Sequence, residues 1–121
     1  MIGSDFSGNL YTSVYKNLGN GNFSLYYNLS PPVNNGSIAL GDLNNDGNLD
    51  LLLTGADNFS GYYFLIYTNS GNGSFVSNLS IEPGVYYSSI AVVDIDNDND
   101  LDIVLTGMDN TGKTILKFYK N

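Results

Sequence analysis

Laid over residues 70–121 without a gap, residues 18–69 match at 21 of 52 positions. The chain is a repeat. "YKNLGNGNF" begins at Tyr15, "YTNSGNGSF" at Tyr67, and the chain closes on "YKN" from Tyr119, each 52 residues after the last. "IGSD" at Ile2 to Asp5 likewise matches "TGAD" at Thr54 and "TGMD" at Thr106. The 121 residues read as one domain of about two and a third units, a partial unit over 1–17 and full units over 18–69 and 70–121. Self-similarity at a fixed period restricts the fold to architectures in which each unit buries its apolar faces against its neighbours.

Within a unit, turn signals separate four short runs, and none shows a helical period. Run a is "SIALGD" or "SIAVVD", b is "DLLLTG" or "DIVLTG", c is "YYFLIYTN" or "TILKFYKN", and d is "FSLYYNLS" or "FVSNLSI". Runs a and b are almost continuously apolar and β-branched, as expected of strands covered on both faces. Run d alternates, with Phe23, Leu25, Tyr27 and Leu29 on one side. The expected grading runs from a dry inner strand a to a wet edge strand d. A four-stranded antiparallel sheet recurring at this spacing is the pattern of an all-β fold built of β-propeller blades.

Between runs a and b lie "DLNNDGNLD" at 42–50 and "DIDNDNDLD" at 94–102, which together hold eight of the twelve acids. Two carboxylates 4 Å apart repel by about 1 kcal/mol in water and about 4 near a protein surface, so such a loop needs a cation to converge on. Calcium takes six to eight oxygens from alternate loop positions and a backbone carbonyl. The side chains of Asp42, Asn44, Asp46 and Asp50 with the Asn48 carbonyl fit one Ca²⁺, and those of Asp94, Asp96, Asp98 and Asp102 with the Asp100 carbonyl fit a second. Position six, where the chain turns sharply, holds Gly47 or Asn99, the residue types that best tolerate positive φ. EF-hand loops share this spacing but lie between helices and carry Glu at position 12, which here is Leu53 or Leu105 within a strand. Two solvated hairpins without an ion are the plain alternative. Magnesium, which prefers octahedral, water-rich sites, suits the loops less. The loop with five acids is expected to bind the more tightly.

These loops, joined to apolar strands over the whole chain, resemble the FG-GAP or VCBS-type repeat found in integrin α-subunit propellers and in secreted microbial proteins. The literal "FG" and "GAP" motifs are absent, which favours the VCBS side of the group. The resemblance implies calcium that braces a hairpin, and d-to-a and b-to-c loops on the face opposite the calcium loops. A ligand would then meet "PPVNNGS", "EPGVYYSS", "GADNFSG" and "GMDNTGK", where Asn34, Asn35, Asn58, Phe59, Tyr86, Tyr87 and Asn110 offer rings and amides suited to a glycan or an extended protein segment. Ordinary turn chemistry is their other reading. Calcium sites of this kind work where calcium is plentiful, so an extracellular or cell-surface location is expected. The absence of cysteine points to a prokaryotic source.

What is missing narrows the function further. There is no Cys, His, Trp or Arg, which removes disulfides, thiol and imidazole catalysis and the usual zinc sites. Four lysines against twelve acids argue against a nucleic-acid partner. No apolar run approaches the roughly 20 residues of a membrane span, and no basic and apolar signal segment precedes the repeats. Six Asn-x-Ser sequons, at Asn22, Asn28, Asn35, Asn58, Asn72 and Asn78, are expected by chance in a chain so rich in both residues. Outside the acidic loops only Asp5, Asp57, Asp109 and Glu82 remain for carboxylate chemistry, and three of those share one repeated position, which reads as architecture. The expected function is a non-enzymatic binding or adhesion module. A ligand-free structural or assembly repeat is the alternative, and a carbohydrate-active enzyme is a third reading.

The order of runs, c-d, a-b-c-d, a-b-c, predicts a homo-oligomer. Closing a propeller takes four to eight blades, and two a runs nucleate only two. The d run at residues 22–30 is expected to be spare and to join the trailing a-b-c of the next copy, leaving residues 9–17 as an added or displaced c strand. Length alone favours seven blades from three chains, since 3 × 121 is 363 and 7 × 52 is 364, but three chains hold six a runs. Six blades from a trimer or eight from a tetramer follow. An opening at the end of a b strand points to an excised or permuted propeller segment.

Overall fold

The structure, a computed structural model, describes residues 1–121, the side chain of Asn78 aside. Its strands are β1 (Ile2–Ser4), β2 (Leu10–Gly19), β3 (Asn22–Asn28), β4 (Ile38–Gly41), β5 (Asp50–Ala56), β6 (Tyr62–Asn69), β7 (Phe75–Val93), β8 (Asp102–Met108) and β9 (Thr114–Tyr119). They form two antiparallel sheets, β1-β2-β3 and β4-β5-β6-β7-β8-β9. Runs a, b and c of the first full unit are β4, β5 and β6. Among the described residues no helix is long and apolar enough to cross a membrane.

Strand β7 joins the two units. Its first part pairs with β6 from Asn69↔Phe75 to Tyr63↔Val85, and the remainder pairs with β8 from Tyr86↔Met108 to Val93↔Asp102. Run d of one unit and run a of the next are thus one strand that changes partners. The expected loop "EPGVYYSS" is its bent middle, because ladder pairing to β8 begins one residue after pairing to β6 ends. A register shift between Tyr86 and Ser89 absorbs the change of direction.

The partner change divides the chain into three layers: a leading sheet, a middle layer of β4–β6 with the first part of β7, and a trailing layer of the rest of β7 with β8 and β9. Two cores lie between them. Leu51, Leu53, Leu65 and Tyr67 of the middle layer pack on Leu29 and Val33, with Ile2, Val14 and Tyr27 of the leading sheet against them. Leu52 and Phe64 point the other way and meet Val85, Ile103 and Leu105, flanked by Ile90, Val92 and Tyr119. Side chains alternate across a strand, so a b run with a core on each face has to be apolar at every position.

Three expectations are corrected here. Strand β5 is buried along almost its whole length, whereas β4, the supposedly driest strand, leaves Ile38 and Leu40 exposed. Among the described residues the leading sheet has no a strand to cover them. In its place is a cleft of about 220 Å³ lined by residues that include Ile2, Val14, Leu29, Ile38, Leu40 and Phe75. Residues 9–17 are not displaced: β2 is the central strand of the leading sheet, because the short β1 supplies the b strand beside it. The d run is not spare either. As β3 it is bonded to β2 from Gly19↔Asn22 to Ser13↔Asn28, and Tyr27 ties it to the middle layer by donating to the Gly73 carbonyl at 2.9 Å and accepting from the Phe75 N–H at 2.8 Å.

Candidate metal centre

The β4–β5 and β7–β8 hairpins carry the acidic loops, and each is wired by the same hydrogen bonds 52 residues apart. One Asp42 oxygen accepts from the Asp46 N–H at 3.0 Å and the other from Gly47 at 2.8 Å; Asp94 does the same for Asp98 at 3.2 Å and Asn99 at 3.0 Å. The two carboxylates that end the loops are buried. Asp50 accepts from the N–H groups of Leu43 and Asn69, and Asp102 from those of Ile95 and Asn121. Each therefore clamps the start of its loop to the end of the following c strand.

Gly47 and Asn99 have φ of 86° and 72°, as the turn chemistry predicts. A second left-handed position, Asn45 and Asn97 at 57° and 62°, went unread, although Asn in both copies was its signal. Backbone N–H groups face the carboxylates throughout. The N–H of Asn48 leads in holding Asp46 below the ordinary carboxylate range, and that of Asp100 does so for Asp98.

In the second loop Asp94, Asp96 and Asp102 place carboxylate oxygens within 4.8 Å of one another, a cluster that could hold a metal ion. Among the described residues the first loop makes no equally tight trio of acids, since Asn44 stands where Asp96 does and its amide donates to Asp46 at 3.1 Å. An all-oxygen donor set of this kind suits a hard cation such as calcium. Lys120, which the sequence reading passed over, already supplies a positive charge there: its ammonium pairs with Asp96 and lies 3.4 Å from Asp98. Those carboxylates, Asp96 first, push the Lys120 pKa up. The loops are also joined to each other, the Asn45 amide donating to the Asp100 carboxylate at 2.6 Å.

The opposite ends of the strands carry the remaining acids and the candidate ligand residues. Asp5 accepts from the N–H groups of Ser7 and Asn9 and from the Tyr11 hydroxyl, and Asp57 from Phe59, Gly61 and the Tyr63 hydroxyl. Asp109 accepts from the Thr111 and Lys113 N–H groups. Burial opposes ionisation of Asp57, but the Tyr63 hydroxyl and the two N–H groups outweigh it and leave its pKa lowered. These three aspartates shape the b-to-c turns.

Asn34 and Asn35 reach the same edge, Asn34 by a backbone bridge to Ala56 and Asn35 by accepting from the Tyr87 N–H at 2.6 Å. Tyr86 packs between Tyr62 and Tyr87 with its ring tilted to both, the ring centroids 4.9 and 4.8 Å apart. Asn58 bonds across to the Gly8 carbonyl, beside the exposed Phe59 and near the turn that carries the exposed Phe6, a residue not anticipated. Asn110 is exposed at the β8–β9 turn.

A family model described as FG-GAP-like repeat matches residues 2–53 and 42–105. No curated protein and no solved structure matches the chain.

Proposed function

This chain belongs to the FG-GAP-like repeat family, and we propose that it is a non-enzymatic binding module at the cell surface or outside a prokaryotic cell, its propeller blades braced by calcium. Family members are typically propeller modules that bind ligands. The observation that carries the ligand reading is Tyr87. This position and its repeat equivalent Asn35 both adopt left-handed backbone, at φ 47° and 49°. Asn tolerates that conformation, whereas a bulky residue there costs about 1–2 kcal/mol. Tyr87 is 67% exposed, so burial does not offset the strain. A residue held at a cost to stability, with its ring presented to solvent beside Tyr86 and the amides of Asn34 and Asn35, fits a surface for a glycan or an extended protein segment.

Tyr87→Asn is therefore expected to raise stability by about 1 kcal/mol in urea denaturation and to weaken capture on glycan and peptide arrays. Undiminished capture by the variant would count against this site. If neither array captures the native chain, the ligand-free assembly repeat becomes the better reading. Enzymatic use of Asp5, Asp57 and Asp109 is disfavoured because all three are bound into turns.

Two calcium ions are proposed, one in each acidic loop, held by the residues named above and supplying the positive charge on which each hairpin closes. In the second loop calcium must displace Lys120. Lys120→Gln should consequently tighten calcium binding there several-fold by calorimetry, and an unchanged or weaker affinity would show that the lysine does not compete.

A further inference from the structure

Most hydrogen bonds of the acidic loops stay within one loop or its own hairpin, but two tie the loops together across the layers. The Asn45 amide donates to an Asp100 carboxylate oxygen at 2.6 Å, and the Asn121 amide donates to the Leu43 carbonyl at 2.8 Å. Asn121 also gives its N–H to the buried Asp102 at 2.9 Å, while the Leu43 N–H goes to the buried Asp50 at 3.2 Å. The carboxylates that end the two loops are thereby joined through two residues. Asn45 belongs to neither set of proposed ligands. It stands in left-handed backbone at φ 57°, between Asn44 and Asp46, and its side chain leaves its own loop for the next one. Asp100, which it meets, is proposed to offer an ion its backbone carbonyl and not its side chain. A difference between the repeats explains the contact. The equivalent of Asp100 is Asn48, whose amide turns back on its own loop and donates to Asp46 at 3.0 Å. A carboxylate has no proton to give Asp98 and is repelled by it, so the Asp100 side chain turns outward and takes its donor from the neighbouring layer.

We propose that the two loops bind calcium cooperatively, an ion in one raising the affinity of the other, and that Asn45 and Asp100 transmit the effect. This cooperativity presupposes one calcium ion in each acidic loop, as proposed above, and concerns how the two sites regulate each other. Holding Asn44 and Asp46 on an ion also fixes Asn45 between them. Asn45 then holds Asp100 in place, so the second loop has less freedom left to lose when it closes on its own ion. A site whose ordering has been met in advance by a neighbour binds more tightly, with no other change of structure. Linkage makes the effect mutual, each loop favouring the other by the same factor. Coupling between sites spans about 5- to 150-fold, and one charge-assisted bond at an exposed place puts this case near the lower end. Charge works in the opposite direction, because an ion on one loop weakens the pull of the acids on a second. Salt at about 0.15 M screens that term beyond a Debye length of about 8 Å, and the ordering term does not depend on the long-range field.

Calorimetric titration of the whole chain with calcium, in about 0.15 M salt, is the test. Asp46→Ala leaves the second loop to bind alone, and Asp98→Ala leaves the first. The product of the two association constants of the native chain should exceed the product of these two single-loop constants by about fivefold or more. In an Asn45→Gly background, which keeps left-handed backbone accessible and removes the amide, the same ratio should fall to about one, the value for independent sites. Asp100→Asn should abolish the coupling by a different route, because an amide there can turn back on Asp98 as Asn48 does on Asp46. A cooperative thermal melt in calcium shows that each variant is folded. A native ratio at or below one overturns the cooperativity, and a ratio that survives both substitutions overturns the roles of Asn45 and Asp100. Uptake of fewer than two ions by the native chain would instead defeat the two-ion reading, and the cooperativity with it.

Discussion

In excess EDTA the chain should melt at a temperature on the order of 10 °C or more below its value in millimolar calcium. Each site saturated at about 100 times its Kd adds about 2.7 kcal/mol to the folded state, so two add roughly 5. That matches the lower end of the whole stability of a small domain, about 5–15 kcal/mol. Crowded carboxylates are the reason to expect this effect: Asp94, Asp96 and Asp102 lie within 4.8 Å of one another, and at the position of Lys120 the first loop has Thr68. Asp98→Ala should cost more of this stabilisation than Asn44→Ala, because it removes a full charge from the calcium site. The pH dependence has a defined sign. Asp46 and Asp98 have pKa values lowered from 3.8, so their contribution is present above that value and is lost as the pH falls through the native values below it. Calcium protection should therefore survive mild acid. A melt indifferent to EDTA would overturn the two-ion reading.

The period of 52 made most of this legible, because every turn, clamp and core position that recurs could be checked against its copy. Gly47 and Asn99, the apolar b strands and the architectural role of Asp57 and Asp109 were readable in that way. Illegible were the features that arise where a copy is incomplete or where two copies meet. Three residues, Ile2–Ser4, are too short to read as a strand, yet they pair with Leu10–Thr12 and so give β2 a second neighbour. The other edge of β2 is bonded to β3, so the d run expected to be spare is paired within its own sheet. The fusion of runs d and a into β7 was hidden by Pro83 and Gly84, ordinary turn signals that here mark a bend inside a paired strand. The exposure of Ile38 and Leu40 depends on a strand that the leading sheet lacks, which no local pattern announces. Lys120 was overlooked because its equivalent is uncharged, so repetition, the strongest signal in this chain, argued against noticing it.

Phe64→Ala and Leu116→Ala alter the same position of successive repeats and should have very unequal consequences. Phe64 is fully buried between the middle and trailing layers, against Leu52, Leu105 and the edge of Tyr119. Truncating a buried phenylalanine costs about 3–5 kcal/mol, the transfer energy of the ring plus the cavity it leaves. That is half or more of a marginal domain's stability, so Phe64→Ala should be largely unfolded at temperatures the native chain withstands. Leu116 is 58% exposed on the outer face of the trailing layer. Leu116→Ala should lower the stability measured by urea denaturation by about 0.5 kcal/mol or less. Comparable losses at the two positions would mean that the trailing face packs against something within the chain itself, contrary to the layering described.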